Sequence, residues 1–186
     1  MSLKLAIIDT CFLIDWVRFK RREILFKIFQ NILIPEQVLS EIEDEKTILW
    51  LSKELARGGF TLFTPSPQDF REAEKLILEV LSKPYLKRIE IPEAICLVIG
   101  RKLKAIVLTE NRGAFLAVQV LESLRNVIVW RALEVLKEAI KMGILKVKDR
   151  DEALSIFKEY EENTHHLFPR KDLKEALEDI ARWLKV

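Results

Sequence analysis

Four acidic residues stand where carboxylates could do chemistry together: Asp9, Glu41, Glu93 and Glu110. Asp9 directly follows the apolar run Leu5–Ile8, and Glu110 follows a second apolar run, Ala105–Leu108, after one threonine. In a parallel α/β sheet, the polar side chains that bind or react gather beyond the carboxyl ends of the strands. If the two strands are neighbours, Asp9 and Glu110 therefore lie at the same edge of the sheet.

The other two acids come from helices that start near this edge. Glu41 is predicted to lie about one and a half turns into the helix after Pro35. Glu93 comes just after Pro92, in the first turn of the helix that leads to the Ala105 strand. Like charges held together repel each other unless a cation neutralises them. A divalent ion that prefers oxygen ligands, Mg²⁺ or Mn²⁺, is the natural occupant of such a cluster.

Each acid taken alone also has a structural explanation. Asp9 is well placed to cap the helix that follows it, and Glu93 to complement the dipole of its helix. Glu41 belongs to an acidic run that is typical of a solvated surface, and Glu110-Asn111 is typical of a turn. Only the joint placement of the four residues at one sheet edge favours a functional cluster.

The elements that must position these acids alternate between short apolar strands and helical segments. The strands are predicted at Leu5–Ile8, Ile32–Ile34, Thr61–Phe63, Ala105–Leu108 and Val127–Trp130. Strands that alternate with helices pair in parallel through right-handed crossovers. The predicted fold is therefore α/β: a three-layer sandwich around a central, mostly parallel sheet, with additional C-terminal helices.

The C-terminal part of the chain differs from the rest. From Asp149 onward the pattern predicts two helices and no strand, and the second helix is expected to start with a capping box of Asp172 and Glu175. An apolar stripe follows at helical spacing: Leu173, Leu177, Ile180 and Leu184. We predict a catalytic domain at residues 1–147 and a helical extension at residues 148–186, which packs on that domain or forms an interface.

Composition narrows the class of protein. The chain has 186 residues, 49% of them hydrophobic and 32% charged, which is typical of a folded globular protein. No apolar stretch approaches the roughly 18 residues of a membrane span, and no secretory signal is apparent, so we expect a cytoplasmic protein without a membrane partner. Cys11 and Cys96 match no zinc spacing, and the adjacent His165 and His166 are predicted to lie in a loop without a metal role.

Several segments resemble the sequence blocks of PIN-domain ribonucleases, including toxins of the VapC type. Ile8–Asp15 resembles the opening block, Ile34–Ile42 the second block, and Glu93–Ile95 with Val107–Asn111 the third and fourth acidic blocks. The segment from Asn126 to Lys146 is similar to that of an uncharacterised PIN-like subgroup. The resemblance covers roughly residues 4–147, and the order and spacing of the blocks are more specific than any single block.

This resemblance implies a metal-dependent endoribonuclease that hydrolyses phosphodiester bonds of single-stranded or structured RNA with Mg²⁺ or Mn²⁺. Asp9, Glu93 and Glu110 would bind the metal, with Glu41 completing the catalytic group. Thr10, Asn111 and Arg112 would support the cluster or contact substrate phosphates. The family also implies an antitoxin protein as a partner, and a homodimer.

The chain departs from the PIN pattern at two positions, because Glu93 and Glu110 stand where aspartate is usual. Glutamate has a longer reach, which suits Mn²⁺ better than the stricter octahedral geometry of Mg²⁺. Glu90 is kept as an alternative third acid, because the sequence around Pro92 allows either register. Three functions therefore remain open: a catalytic ribonuclease, acting as a toxin or in RNA processing; a degenerate PIN domain that binds RNA or protein without cutting; and an unrelated flavodoxin-like binding module whose acids are helix caps.

Overall fold

The computed structural model describes residues 4–185 and contains one five-stranded sheet flanked by helices. The strands are β1 (Lys4–Ile8), β2 (Phe29–Pro35), β3 (Thr61–Phe63), β4 (Ile106–Leu108) and β5 (Val129–Trp130). All neighbouring strands pair in parallel, in the order β3-β2-β1-β4-β5. The predicted α/β sandwich is therefore confirmed, and the sheet of the described residues is entirely parallel.

The helices connect and cover these strands. They are α1 (Thr10–Arg18), α2 (Leu25–Ile28), α3 (Glu36–Ser40), α4 (Glu45–Arg57), α5 (Pro67–Leu81), α6 (Ile91–Leu103), α7 (Arg112–Val120), α8 (Ala132–Lys141), α9 (Arg150–Thr164) and α10 (Arg170–Trp183). Within residues 4–185, none of them combines the length and the apolar character that a membrane crossing requires.

The register of the central strands positions the acidic edge. Ile8 at the end of β1 lies opposite Leu108 at the end of β4. The backbone N–H of Asp9 continues this pairing and donates to the carbonyl of Leu108 at 2.9 Å. Asp9 and Thr109 therefore leave adjacent strands at the same edge, as the sequence predicts.

Helix α6 is buried along most of its length and supports this pair of strands. Every residue from Ala94 to Gly100 is buried. A Cβ atom at Gly100 would lie 2.3 Å from Cγ2 of Val107, so glycine is required for the helix to approach β4 this closely. The close contact fixes α6, and with it Glu93 in its first turn, against the sheet edge.

The two C-terminal helices pack on the same chain. On α9, Tyr160 lies beside Trp16 and Phe19 of the first third of the chain, with ring centroids 5.8 and 5.3 Å away. On α10, Leu177 and Ile180 are 3% and 0% exposed. The predicted apolar stripe therefore covers its own chain, whereas the proposed division into two units at residue 147 stays a prediction.

The predicted start of the last helix is wrong. Helix α10 begins at Arg170 after Pro169, and no side chain caps it. Asp172 lies in the first turn and accepts a hydrogen bond of 2.8 Å from the guanidinium of Arg131, whose side chain is largely buried. A largely buried guanidinium requires charged partners, and this requirement directs Asp172 away from the helix end.

Candidate active site

Asp9 is the most buried acid of the cluster, with 1% of its surface exposed. It caps α1: its carboxylate accepts the backbone N–H of Thr10 at 2.8 Å. The same carboxylate accepts hydrogen bonds from the Cys11 thiol at 2.9 Å and the Thr109 hydroxyl at 2.6 Å. Burial raises the pKa of Asp9, although these three hydrogen bonds favour the charged form. Asp9 is therefore a helix cap, as one reading of the sequence suggests, and its carboxylate also binds two side chains at the sheet edge.

Glu41 lies immediately after α3 rather than inside it. The last turn of this short helix tightens, with the backbone N–H of Glu41 donating to the carbonyl of Val38, and the helix stops at Ser40. The predicted position within the helix is therefore wrong. The carboxylate nevertheless leans over the sheet edge, where it accepts a hydrogen bond of 2.5 Å from the Thr10 hydroxyl. Thr10, which follows Asp9 in the sequence, thus links Glu41 to Asp9 through hydrogen bonds to both.

Glu93 lies in the first turn of α6, as predicted. One carboxylate oxygen accepts the backbone N–H of Glu90 at 3.0 Å, and the other accepts the side-chain amide of Asn111 at 2.8 Å. Burial raises the pKa of Glu93, and the negative charges of Asp9 and, more weakly, Glu41 raise it further. The three carboxylates therefore share one electrostatic environment. Glu90 caps the helix start and its side chain is exposed.

Asn111 connects the two sides of this group. Its side-chain oxygen caps α7 by accepting the backbone N–H groups of Gly113 at 2.7 Å and Ala114 at 3.1 Å. Its backbone N–H donates to the Thr109 hydroxyl at 3.0 Å, and that hydroxyl donates to Asp9. A continuous chain of hydrogen bonds thus runs from Glu93 through Asn111 and Thr109 to Asp9.

Glu110 has a different set of partners. One oxygen accepts the backbone N–H of Ala132 at the start of α8 at 2.7 Å, and the other lies 3.3 Å from Nε2 of His166. Burial raises the pKa of Glu110 to about 7, against the opposing effects of the Ala132 N–H and the His166 and Arg131 charges. Glu110 therefore reaches the predicted edge but hydrogen-bonds away from the network of the other three acids.

Sequence reasoning missed His166 and Asp15 at this edge. Nδ1 of His166 lies 2.9 Å from a carboxylate oxygen of Asp15, and this contact raises the pKa of the imidazole above its ordinary value. His166 does lie in a loop, as predicted, but the packing of α9 and α10 brings that loop to Glu110. Nothing in the spacing of the sequence indicated this contact. Arg112, the first residue of α7, is exposed and makes no ion pair with any described residue.

The donors at this edge suit a divalent cation by type. Carboxylate oxygens are the ligands that Mg²⁺ and Mn²⁺ prefer, and the mutual repulsion that raises the pKa of Glu93 is the effect a cation would relieve. Between residues 4 and 185, however, no group of three or more His, Cys, Asp or Glu side chains has the arrangement of a complete metal site. Instead, the Thr10 hydroxyl donates a hydrogen bond to the carboxylate of Glu41, and the side-chain amide of Asn111 donates one to the carboxylate of Glu93.

The chain matches no protein-family model and no curated protein. Among solved structures, the chain is similar to VapBC2 from Rickettsia felis bound to a DNA fragment from the promoter, with 17% identity and a TM-score of 0.47. The similarity covers 68% of this chain and 98% of that chain. A TM-score at this level carries no functional conclusion, which must come from the side chains.

Proposed function

We propose that the protein is a metal-dependent endoribonuclease that hydrolyses RNA phosphodiester bonds. The observation that carries the proposal is that Asp9, Glu41 and Glu93, three carboxylates from separate segments, meet at one sheet edge. Asn111 and Thr109 link Glu93 to Asp9 by hydrogen bonds, and Thr10, next to Asp9, donates to Glu41. Repulsion between like charges beyond the carboxyl ends of parallel strands destabilises the fold, and acids gathered at this edge are typical of functional sites. The PIN-like sequence blocks point to the same chemistry.

Each residue has a defined part in this proposal. Asp9, Glu93 and Glu110 would hold Mg²⁺ or Mn²⁺, which would supply charge neutralisation at the phosphate and activation of the attacking water. Glu41 would complete the acidic group beside Thr10, which fixes its carboxylate. Asn111 orients Glu93 through its side-chain amide. Arg112, exposed beside this edge, would bind a substrate phosphate.

The RNA substrate and the partners follow from the resemblance alone. An RNA substrate, single-stranded or structured, is what the PIN-like blocks imply, and so are an antitoxin partner and a homodimer; the cytoplasmic location that we propose rests instead on the sequence, which shows no membrane span and no secretory signal. A toxin of a toxin–antitoxin pair and an RNA-processing enzyme would use the same site. The two differ in whether a tight protein inhibitor binds over the acidic edge.

The test is cleavage of a mixed pool of RNAs in Mn²⁺, in Mg²⁺ and in EDTA. We expect cleavage with either metal, none in EDTA, and a loss of about 100-fold or more in Asp9→Asn. Glu93→Gln and Glu90→Gln form a matched pair, because both residues belong to the start of α6 but only Glu93 contacts Asn111. Glu93→Gln should lose activity and Glu90→Gln should keep it. Full cleavage by Asp9→Asn would contradict the proposal.

A second candidate function is an RNA-binding domain that does not cut. The contacts of Glu110 favour it, because its carboxylate is engaged by Ala132 and His166 rather than by the other acids. In that case the wild-type protein would bind RNA in gel-shift experiments, and Mn²⁺ would produce no new RNA ends.

A further inference from the structure

A pocket of about 520 Å³ opens beside Glu110, outside the carboxylate network described above. It lies between the start of α7, the start of α8 and the loop that joins α9 to α10. Its volume falls within the range of about 300–1,000 Å³ that is usual for small-ligand sites. The C-terminal helices thus form one wall of a cavity whose opposite wall carries the end of β4.

The walls of the pocket are mainly apolar. Phe115 and Leu116 of α7 face Leu167 and Pro169 of the α9–α10 loop. Leu167 is 75% exposed, an unusual position for a leucine that lines a cavity. A side chain of this kind loses its contact with water when a flat apolar ligand enters the pocket.

One end of the pocket is polar. Glu110, Arg131, His166 and Asp172 line this end, and the guanidinium of Arg131 lies 4.6 Å from the centroid of the Phe115 ring. These groups already have partners within the protein, but the carboxylate oxygens of Glu110 and Asp172 can accept further hydrogen bonds from a ligand. A ligand with a flat apolar body and a polar edge matches both parts of the lining, and a nucleobase has this character.

The pocket is also continuous with the proposed active site. Arg112 lines it and belongs to the same turn as Asn111, which contacts Glu93. An exposed guanidinium without an ion-pair partner among the described residues is suited to a phosphate. A strand of RNA whose phosphate lies at Arg112 could therefore place the attached base in the pocket.

We propose that this pocket binds one nucleobase of a single-stranded RNA, with Leu167 and Phe115 contacting the base and Arg112 contacting its phosphate. The inference rests on the proposed function for the identity of the substrate, and it adds the subsite that fixes the strand beside the acidic edge. The C-terminal extension, through Leu167, becomes part of the substrate-binding surface. The rest of the strand would continue toward Asp9.

The test measures binding without cleavage. The probes are an end-labelled single-stranded RNA of mixed sequence and a series in which each position in turn lacks its base, with affinity measured by fluorescence anisotropy in EDTA. We expect removal of one particular base to weaken binding to the wild-type protein about tenfold. Leu167→Ala should bind the intact RNA about tenfold more weakly and should be indifferent to the loss of that same base.

Two variants serve as controls. Leu78→Ala removes another leucine, 66% exposed on α5 and not part of the pocket lining, and should behave as the wild-type protein. Leu167→Met retains an apolar side chain of similar volume and should keep the sensitivity to the missing base. Because Leu167 is exposed, Leu167→Ala should fold as the wild-type protein does, and equal melting temperatures would establish this.

The outcomes separate this inference from the proposed function. If Leu167→Ala and the wild-type protein lose the same affinity on removal of each base, or if no RNA binds, the nucleobase subsite is refuted. Cleavage in Mn²⁺ would still support the nuclease in that case. Conversely, coupling between Leu167 and one base without any cleavage would refute the nuclease and leave the subsite standing.

Discussion

The structure predicts that the substitution Glu110→Gln stabilises the protein by an amount that depends on pH. The side chain of Glu110 is 6% exposed, and burial raises its pKa from 4.5 to about 7. In the unfolded chain the carboxyl ionises at its ordinary pKa, so the native state holds the proton more tightly. The contribution of Glu110 to stability is therefore fully present below about pH 4.5 and is lost as the pH rises through about 7, by about 3 kcal/mol in total.

Glutamine removes this cost while keeping the shape of the side chain. Its carbonyl oxygen can still accept the N–H of Ala132, and its amide takes the place of the carboxylate oxygen beside His166. At about pH 5 the two proteins should differ little, because Glu110 is protonated in the wild-type protein. At about pH 8, where nearly the whole cost of ionising the buried carboxyl applies, the free energy of unfolding of the variant should exceed that of the wild type by about 3 kcal/mol.

The measurement is urea unfolding of both proteins in EDTA at several pH values. Glu90→Gln is the matched control: its side chain is exposed, and its difference from the wild type should not change with pH. A free-energy difference for Glu110→Gln that stays constant from about pH 5 to pH 8 would show that Glu110 is not desolvated. The argument for its perturbed environment would then fail.

Three further predictions follow from the same contacts. Mn²⁺ at about 100 times its dissociation constant should raise the melting temperature by roughly 5–10 °C, and Asp9→Asn should abolish most of this shift while raising the metal-free melting temperature, because it removes a buried charge. Replacing Leu177 and Ile180 together with Asp should destabilise the monomer by about 3–5 kcal/mol in urea unfolding, without changing the mass measured by light scattering. Arg112→Gln should reduce the salt dependence of RNA binding by about one phosphate contact, and an unchanged slope would remove Arg112 from the RNA surface.

The fold was predictable because its signals are local. Each predicted strand exists, and the start of helix α5 also has a local cause, the capping box of Ser66 and Asp69. Gly58 ends α4 with a positive φ of 75°, as a glycine before a new strand suggests. Strand ends differ by a few residues, since they depend on neighbouring strands: β2 extends back to Phe29, which lies opposite Lys4. Hydrophobic periodicity records which face is buried but not where pairing stops.

The site was predictable only in part, for the same reason. The positions of Asp9, Glu93 and Asn111 follow from strand and helix ends, which the sequence marks. The contact between His166 and Asp15 joins residues 151 positions apart and depends on how α9 and α10 pack. Asp172 shows the opposite failure of prediction. Its sequence context predicts a helix cap, but its side chain pairs with Arg131, which is distant in the sequence. Local patterns carry no information about such partners.

The orientation of Glu110 is compatible with either of the two proposed functions. A carboxylate has about four lone-pair sites, and the contacts to Ala132 and His166 use two of them. A cation could therefore bind the same side chain without displacing these partners, which would then hold the ligand in place as outer hydrogen bonds commonly do. The two functions differ in the charge state that they require of Glu110. A bound divalent ion favours the ionised carboxyl, whereas burial alone favours the protonated one, so the metal would have to overcome the burial that raises the pKa of Glu110.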